Sequence, residues 1–212
     1  SVLAKCGMKQ IGTARYWSRA RSAPVTSCEH VLTRSEWLLN NPIRIDTPRV
    51  VLRGLNADQV TDIARIGGDQ KVAPMIMHAT VPWLVHDAVA WIEASAYNGQ
   101  LGYRLGIFKT DGPLMGCIGI GPDKSLMYFL DPSYWGQGYA TEAVRAFLKD
   151  CYGRFDLEEV IADHFHDNPA SGRVLRKVGF EYTGRALGQS AAREKKEEVC
   201  EYSLSRATLR AL

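Results

Sequence analysis

The chain has 212 residues, of which 46% are hydrophobic and 23% charged, and its formal net charge is +3. This length and composition suit one soluble globular domain with a sizeable core and are short for two. No apolar run approaches the roughly 20 residues that span a bilayer, and so weak a charge argues against a nucleic-acid partner. Five cysteines, an odd number without C-x-x-C spacing, argue against a disulfide framework and a zinc site. They predict a reducing compartment, the cytoplasm.

Residues 1–42 form a basic segment that does not share the pattern of the rest. Its lysines and arginines occur with no acidic residue before Glu29. That composition is also typical of an organellar transit peptide, but its amphipathic periodicity is poor, which favours a plain basic extension. A short helix is predicted over residues 29–39 and ends before Pro42. We therefore predict an N-terminal extension over 1–42 and one folded domain over 43–212.

The hydrophobic periodicity of residues 43–121 predicts alternating strands and helices. Strands are predicted over 43–55, 103–108 and 114–120, and helices over 58–66 and 86–97. Asn56 is the predicted N-cap of the first of these helices, and Gly67-Gly68 closes it as an ordinary C-cap. Residues 72–83 are predicted to be irregular because two prolines interrupt any regular element.

The stretch over residues 126–152 reads as a buried strand, a glycine-bearing loop and a helix. Gly136 and Gly138 allow the loop to turn its amides inward. The helix behind the loop adds unpaired N–H groups and the positive end of its dipole, a combination that binds phosphate. The loop lacks the Gly-Lys-Ser/Thr ending of a Walker loop, and Thr141 occupies the place of the last glycine of a dinucleotide fingerprint.

A second helical segment follows a predicted strand over residues 159–165. Asn168 is a good N-cap, Pro169 suits the first helical position, and Gly179 supplies the C-terminal stop. A closing hairpin is predicted over 180–184 and 198–204, and its charged link over 193–198 is predicted to be a solvated turn.

Two motifs in this order resemble the GNAT superfamily of acyl-CoA-dependent N-acetyltransferases. They are the string YWGQGYATEA at residues 134–143 and the N-x-x-S…G-F segment at 168–180. The first is similar to the branch that includes the ribosomal-protein N-terminal acetyltransferases. The resemblance covers roughly residues 43–206. It implies an α/β (α+β) GNAT fold: a mixed, mostly antiparallel sheet splayed between its fourth and fifth strands, with helices on both faces.

The resemblance also implies the activity. It implies transfer of an acetyl group from acetyl-CoA to a primary amine in a ternary complex, and the favoured acceptor is a protein N-terminal α-amine. Polyamines or antibiotics are alternative acceptors, and a non-catalytic CoA-binding module is an alternative to an enzyme. A homodimer is considered as an assembly, and no membrane or direct nucleic-acid partner is predicted.

The resemblance assigns acetyl-CoA binding to three groups of residues. They are the strand-four backbone at Phe129, Leu130 and Asp131, the loop and helix start at Gly136, Gln137, Gly138, Tyr139, Ala140 and Thr141, and the helix start at Asn168 and Ser171.

The catalytic residues are predicted less directly, because many relatives place a tyrosine where this chain has Leu175. Ser171 is predicted to hydrogen bond the departing sulfur, or alternatively to satisfy a backbone N–H at N3 of its helix. His164 and His166 are the predicted bases, with Asp163 and water as alternatives. A His-x-His pair could hold a metal, but no third ligand follows at a recognisable spacing, so no metal is predicted. The resemblance also places residues 72–83 beside the acceptor cleft.

Overall fold

The computed structural model describes residues 2–33 and 42–212, and contacts divide the chain into two compact units, Ser1–Pro42 and Ile43–Leu212. The smaller unit holds a short helix, α1 (Val2–Lys5), and two antiparallel strands, β1 (Lys9–Ser18) and β2 (Ala23–Val31). The assignment of 1–42 as an extension and of 43–212 as the acetyltransferase domain stays a prediction.

The helix predicted over residues 29–39 is wrong where the structure describes it. Glu29 and Val31 lie in β2 and pair with Gly12 and Lys9 of β1. Tyr16 donates a hydrogen bond from its hydroxyl to the Glu29 carboxylate at 3.2 Å. Cross-strand pairing therefore outweighs the local helical spacing of this segment. Residues 34–41, which would complete the predicted helix, lie outside the described residues.

The larger unit contains the elements that carry the two motifs. In chain order they are β3 (Arg44–Asp46), β4 (Val50–Arg53), α2 (Val60–Gly67), α3 (Val85–Glu93), β5 (Tyr103–Lys109), β6 (Leu114–Ile120), β7 (Leu126–Leu130), α4 (Tyr139–Arg154), β8 (Glu159–Phe165), α5 (Pro169–Val178), β9 (Glu181–Gly188), β10 (Glu197–Ser205) and α6 (Arg206–Ala211).

These elements follow the predicted pattern with three differences. The strand predicted over 43–55 is two strands, because the chain reverses at Thr47, whose N–H bonds the carbonyl of Val50 at 2.9 Å. A 3-10 turn, Ala57–Gln59, precedes α2, and Asn56 caps that turn in a capping box with Gln59. The closing helix α6 was not predicted, and Ser205 caps it.

The strands form two antiparallel sheets that meet at one point. Their strand orders are β3-β4-β5-β6-β7 and β8-β10-β9. A single parallel bridge joins Ser125, just before β7, to Ile161 in β8. Beyond this bridge the two strands diverge. This confirms the splay predicted between the fourth and fifth strands, which are β7 and β8 because the first predicted strand is two strands.

Helices cover both faces of this sheet, as predicted. On one face, residues of β5, β6 and β7 pack with α4 and α5 around Tyr103, Phe147 and Leu175. On the other face, α2 and α3 pack around Ile63, Trp83 and Phe129. Because side chains alternate along a strand, even-numbered residues of β7 join the first cluster and odd-numbered residues join the second.

The double glycine after α2 is more than a cap. Gly68 is the C-cap residue, but its φ of −86° is open to any residue. A Cβ at Gly67 would lie 2.4 Å from the ring of Trp83, and one at Gly68 would lie 2.5 Å from the Trp83 backbone nitrogen. Gly68 is the predicted C-cap, but capping is not the reason for the two glycines. They allow Trp83 to pack directly on the helix end.

Candidate functional site

Hydrogen bonds within the loop and from α2 hold the entry to the segment between β7 and α4. The Oδ1 atom of Asp131 accepts the Ser133 N–H at 3.0 Å, and Arg65 donates from Nη1 to Oδ2 at 2.7 Å. Partial burial opposes ionisation of Asp131, but the bonds from Ser133 and Arg65 outweigh it and lower its pKa. Trp135 donates from Nε1 to the carbonyl of Leu130 at 2.8 Å. The side chain of Asp131 is thus committed to loop structure.

The two loop glycines adopt backbones that favour glycine. Gly136 has φ 75° and Gly138 has φ 85°, both in the left-handed region. The helix α4 begins directly afterwards, at Tyr139, and its N-cap residue Gly138 provides no side-chain hydrogen bond. The amides of the first turn therefore lack a side-chain cap and lie at the positive end of the helix dipole. These are the elements of an anion-binding site.

A polar network ties the start of α4 to the turn between β3 and β4. Glu142 accepts hydrogen bonds from Thr47 Oγ1 at 2.7 Å and from Arg49 Nε at 2.7 Å. Arg49 also donates from Nη1 to the carbonyl of Gln137 at 3.0 Å, and its guanidinium lies 4.8 Å from the ring centre of Tyr139. Partial burial opposes ionisation of Glu142, but the Thr47 and Arg49 bonds lower its pKa. The network fixes the loop from the side of the helix.

A groove of about 530 Å³ lies along α4 next to the loop. Gly138 and Thr141 line its end at the loop, and Arg145, Lys149 and Lys177 line the remainder with positive charge. These three cations were not among the residues predicted from the sequence. The spacing of Arg145 and Lys149, one helical turn apart on the helix after the loop, is the signal that could have identified them.

The backbone of β7 is divided between its neighbour and the gap. Asp131 donates its N–H to the Met115 carbonyl of β6 at 2.8 Å. Antiparallel strands alternate the direction of these groups, so the backbone of Phe129 also faces β6. The backbone groups of Tyr128 and Leu130 face the gap towards β8. Of the three predicted strand residues, Leu130 is directed there, and the ladder bonds of Phe129 and Asp131 point to β6. The assignment of these residues to acetyl-CoA binding stays a prediction.

Ser171 contacts a tyrosine from the facing strand. Its Oγ lies 2.8 Å from the Tyr128 hydroxyl, while its N–H is held by the Asn168 side chain at 3.3 Å. The structure assigns the Ser171 hydroxyl to Tyr128 and not to a backbone cap, the duty taken by Asn168. Burial raises the pKa of Tyr128 to about 12, and the bond to Ser171 only partly offsets it. Tyr128 was missed because no local spacing links it to a residue 43 positions away.

The two predicted histidines are not brought together. His164 is buried, with Nδ1 2.8 Å from the Phe165 carbonyl and Nε2 3.3 Å from the Tyr202 hydroxyl. Because both ring nitrogens have partners, the geometry favours a structural histidine. His166 lies past the end of β8, is 67% exposed and approaches Glu198 at 3.5 Å. Within the described residues, no group of three His, Cys, Asp or Glu side chains is arranged to hold a metal ion.

Asp163 lies on the opposite face of β8 from His164. Alternation directs its side chain with Phe165 and away from α5. The bridge between Ser125 and Ile161 places it level with Met127, where β7 and β8 begin to part. Partial desolvation and then the charge of Glu201 raise the pKa of Asp163. Asp163 is therefore exposed whereas His164 is buried, and its raised pKa makes it more basic than an ordinary aspartate.

The link between β9 and β10 covers one side of the β8 face that carries Asp163. Ser190 donates to the Ala73 carbonyl at 3.1 Å, and Ala191 donates its N–H to the Met77 carbonyl at 3.0 Å. Arg193 forms an ion pair with Asp167 at 2.8 Å, and its side chain is only 15% exposed. The prediction of a solvated turn is therefore wrong for Arg193.

Two residues of the segment over 72–83 are placed differently. Trp83 is buried, and its ring meets Trp91 edge-on at 5.2 Å, so it belongs to the core. His78 lies near the surface. Burial and then the charge of Arg104 lower the pKa of His78.

No helix of the described part of the chain is long and apolar enough to cross a bilayer.

Gly138→Ala should weaken acetyl-CoA binding at least tenfold, about 1.4 kcal/mol, because a side chain at φ 85° distorts the loop and enters the phosphate space. Isothermal calorimetry measures the affinity. Gly102→Ala is the matched control, since Gly102 has φ 98° but lies outside the loop, and it should lose stability without losing affinity. Equal affinity of Gly138→Ala and the original chain, with both folded, would refute the assignment.

The comparisons with known proteins agree with this geometry. A family model described as "Acetyltransferase (GNAT) domain" matches residues 49–181. The "Uncharacterized N-acetyltransferase YoaA" of Bacillus subtilis (strain 168) is 29% identical over 109 residues, which cover 47% of this chain and 62% of that protein. The chain thus spans less than two thirds of the length of this relative.

Two solved structures show the same fold. The ribosomal-protein-S5-alanine acetyltransferase from Vibrio fischeri has a TM-score of 0.64 at 16% identity, covering 77% of this chain and 96% of that chain. The spermidine N-acetyltransferase from Vibrio cholerae, in complex with CoA and spermine, has a TM-score of 0.65 at 12% identity, covering 77% of this chain and 99% of that chain. The family model covers more than half of the chain, and the chain therefore belongs to the GNAT acetyltransferase family.

Proposed function

We propose that this acetyltransferase acts on the α-amine of a protein N-terminus. The string at residues 134–143 supports this acceptor, and so does the fold shared with a ribosomal-protein acetyltransferase. A polyamine is the second candidate acceptor, because the spermidine acetyltransferase has a similar TM-score. The observation that carries acetyl transfer itself is the uncapped start of α4 beside the gap between β7 and β8.

The donor, acetyl-CoA, binds partly at the loop and partly in the gap between β7 and β8. The phosphates of CoA lie at the amides of Gly136 to Tyr139, and the groove cations Arg145 and Lys177 balance their charge. The amides of the pantetheine arm pair with the backbone of Tyr128 and with the N–H of Leu130, whose carbonyl already accepts from Trp135 Nε1 at 2.8 Å. Asn168 holds the start of α5 against this arm.

The hydroxyls of Tyr128 and Ser171 stabilise the departing sulfur. The two hydroxyl oxygens lie 2.8 Å apart and either can donate; in the proposed arrangement Tyr128 donates to Ser171 Oγ, which leaves the single Ser171 proton free to bond the sulfur. A hydroxyl with a pKa of about 12 does not protonate a thiolate whose thiol has a pKa of roughly 8.5. The pair therefore acts by hydrogen bonding the thiolate, and Tyr128 is a positioning residue.

Asp163 removes the proton from the attacking amine. It lies on the face of the sheet opposite α4 and α5, where α2 and α3 pack farther along the sheet, and its exposed side chain can meet an amine that approaches the thioester from that side. Its raised pKa makes it a stronger base than an exposed aspartate. His164 instead contacts the Tyr202 hydroxyl. His166 lies past the end of β8, too far from the proposed position of the amine. The cytoplasmic location and the homodimer stay predictions.

The acceptor is tested by thiol release from acetyl-CoA with a panel of amines. A lysine-free peptide with a free N-terminus should be acetylated, and the same peptide with a blocked N-terminus should not. A blocked peptide that contains lysine, spermidine and an aminoglycoside complete the panel. A tenfold preference for spermidine or the aminoglycoside would refute the peptide acceptor. Absence of release with every amine would favour the CoA-binding module.

Ser171→Ala should lower kcat roughly tenfold to a hundredfold, about 1–3 kcal/mol, with little change in KM for acetyl-CoA. Tyr128→Phe should lower kcat less, because it removes only the support of Ser171. The double variant should match Ser171→Ala alone if Tyr128 acts through the serine. Tyr103→Phe is the control, since Tyr103 is a buried tyrosine whose hydroxyl lies 3.2 Å from Cys151. Additive losses in the double variant would contradict the coupling.

Asp163→Asn should lower kcat/KM about a hundredfold or more and abolish the acidic limb of the pH–rate profile. Glu201→Gln provides the signed test. Because the Glu201 charge raises the pKa of Asp163, its removal lowers that pKa, and the limb should move to lower pH. His164→Asn should reduce stability without moving the limb. A limb that moves with His164→Asn and not with Asp163→Asn would restore the histidine as the base.

A further inference from the structure

One row of residues crosses the sheet on the face that α4 and α5 do not cover. In strand order the row is Arg104, Gly119, Met127, Asp163 and Glu201. The first three are direct cross-strand partners, as are the last two, and the bridge between the sheets places Met127 level with Asp163. Their side chains share one face because each is an in-register neighbour of the next.

The β5 end of the row is positive. Arg104 is half-buried, with its guanidinium 4.3 Å from the ring centre of Trp91. A Cβ on Gly119 would lie 2.6 Å from Arg104 Cγ, so this glycine makes room for the arginine to lie across the sheet. No ion pair joins Arg104 to a carboxylate within the residues that the structure describes. The pKa of His78 is lowered mainly by burial and then by the charge of Arg104.

The β10 end of the row is negative. Asp163 and Glu201 are cross-strand partners, and each is exposed. The Glu201 charge acts on Asp163, and Asp123 adds to it. No lysine or arginine forms an ion pair with Asp163 or Glu201 in the described ranges, 2–33 and 42–212. Between the two ends lie only a glycine and the partly buried Met127.

We infer that this row selects an amine acceptor that also carries an anionic group, a carboxylate or phosphate several bonds from the nitrogen. The inference rests on the proposed function, because it places the reacting amine at Asp163. Two strand spacings separate Arg104 from Met127, about 10 Å between Cα atoms, and the wider gap between β7 and β8 adds to this distance, so the two charges do not belong to one α-carbon. An N-terminal residue followed by an acidic side chain fits this class.

The same arrangement disfavours polycationic acceptors. A polyamine or aminoglycoside whose reacting nitrogen lies at Asp163 would place a second ammonium towards Arg104 and His78. Like charges in a partly desolvated cleft repel strongly. Arg104 donates one N–H to the Trp91 carbonyl at 3.3 Å. Its other N–H groups can donate a charge-assisted hydrogen bond to an anionic group at that position.

The test uses two peptide amides, Ser-Glu-Ala-Ala and Ser-Gln-Ala-Ala, which differ only in charge. With the full chain and acetyl-CoA, the Glu peptide should have a KM at least tenfold lower. Arg104→Gln should remove this preference. Arg53→Gln is the matched control, since the Arg53 guanidinium also lies over an aromatic ring, 3.8 Å from that of Phe108, but outside the row. It should keep the preference.

Calorimetry with the N-acetylated forms of both peptides and CoA separates this inference from the proposed function. A preference for the Glu form that depends on Arg104 supports the row even if neither peptide is acetylated, which would refute the acceptor alone. Equal binding of both forms overturns the row, whether or not the peptides are acetylated. Equal weakening of both by Arg104→Gln also overturns it, and Arg104 would then only support α3 through Trp91.

Discussion

The divergence of β7 from β8 is the constraint on which the rest of the site depends. Pairing between the two strands in the described part of the chain is confined to Ser125 and Ile161. Buried backbone N–H and C=O groups need partners, so the groups of β7 that face the gap without a ladder partner suit an extended ligand with amides of its own. The pantetheine arm of CoA meets that requirement. An open edge of this kind would otherwise recruit another strand, and α4 and α5 cover it on one face.

Alternation along the two strands gives each face of the gap its own chemistry. Tyr128 and His164 project towards α5, where one hydroxyl reaches Ser171 and the other side chain supports Tyr202. Met127 and Asp163 project to the opposite face. In the proposed mechanism the leaving sulfur and the attacking amine are therefore contacted by neighbouring residues of the same strands, on opposite sides of the sheet. The two functions stay apart without any additional structural element.

The parts of the site that sequence could predict are those set by local backbone geometry. Gly136 and Gly138 were identified because a positive φ favours glycine, and both have one. Asn168 was identified because an N-cap acts within three residues, and it accepts the Ser171 N–H. Arg49 could not be found in this way, since its partner Glu142 is 93 residues distant. Long-range pairs leave no periodic signal in the chain.

The sequence by itself determined the order of the elements, the glycine-bearing loop before α4 and the membership of the family, because these depend on periodicity, turn chemistry and fixed spacing. Only the tertiary structure decided which side chains work together. It paired Tyr128 with Ser171, buried His164 between α5 and Tyr202, and left Asp163 accessible on the other face. The physical reason is that adjacent residues of a strand point to opposite faces, and the identity of each face depends on which helices pack there.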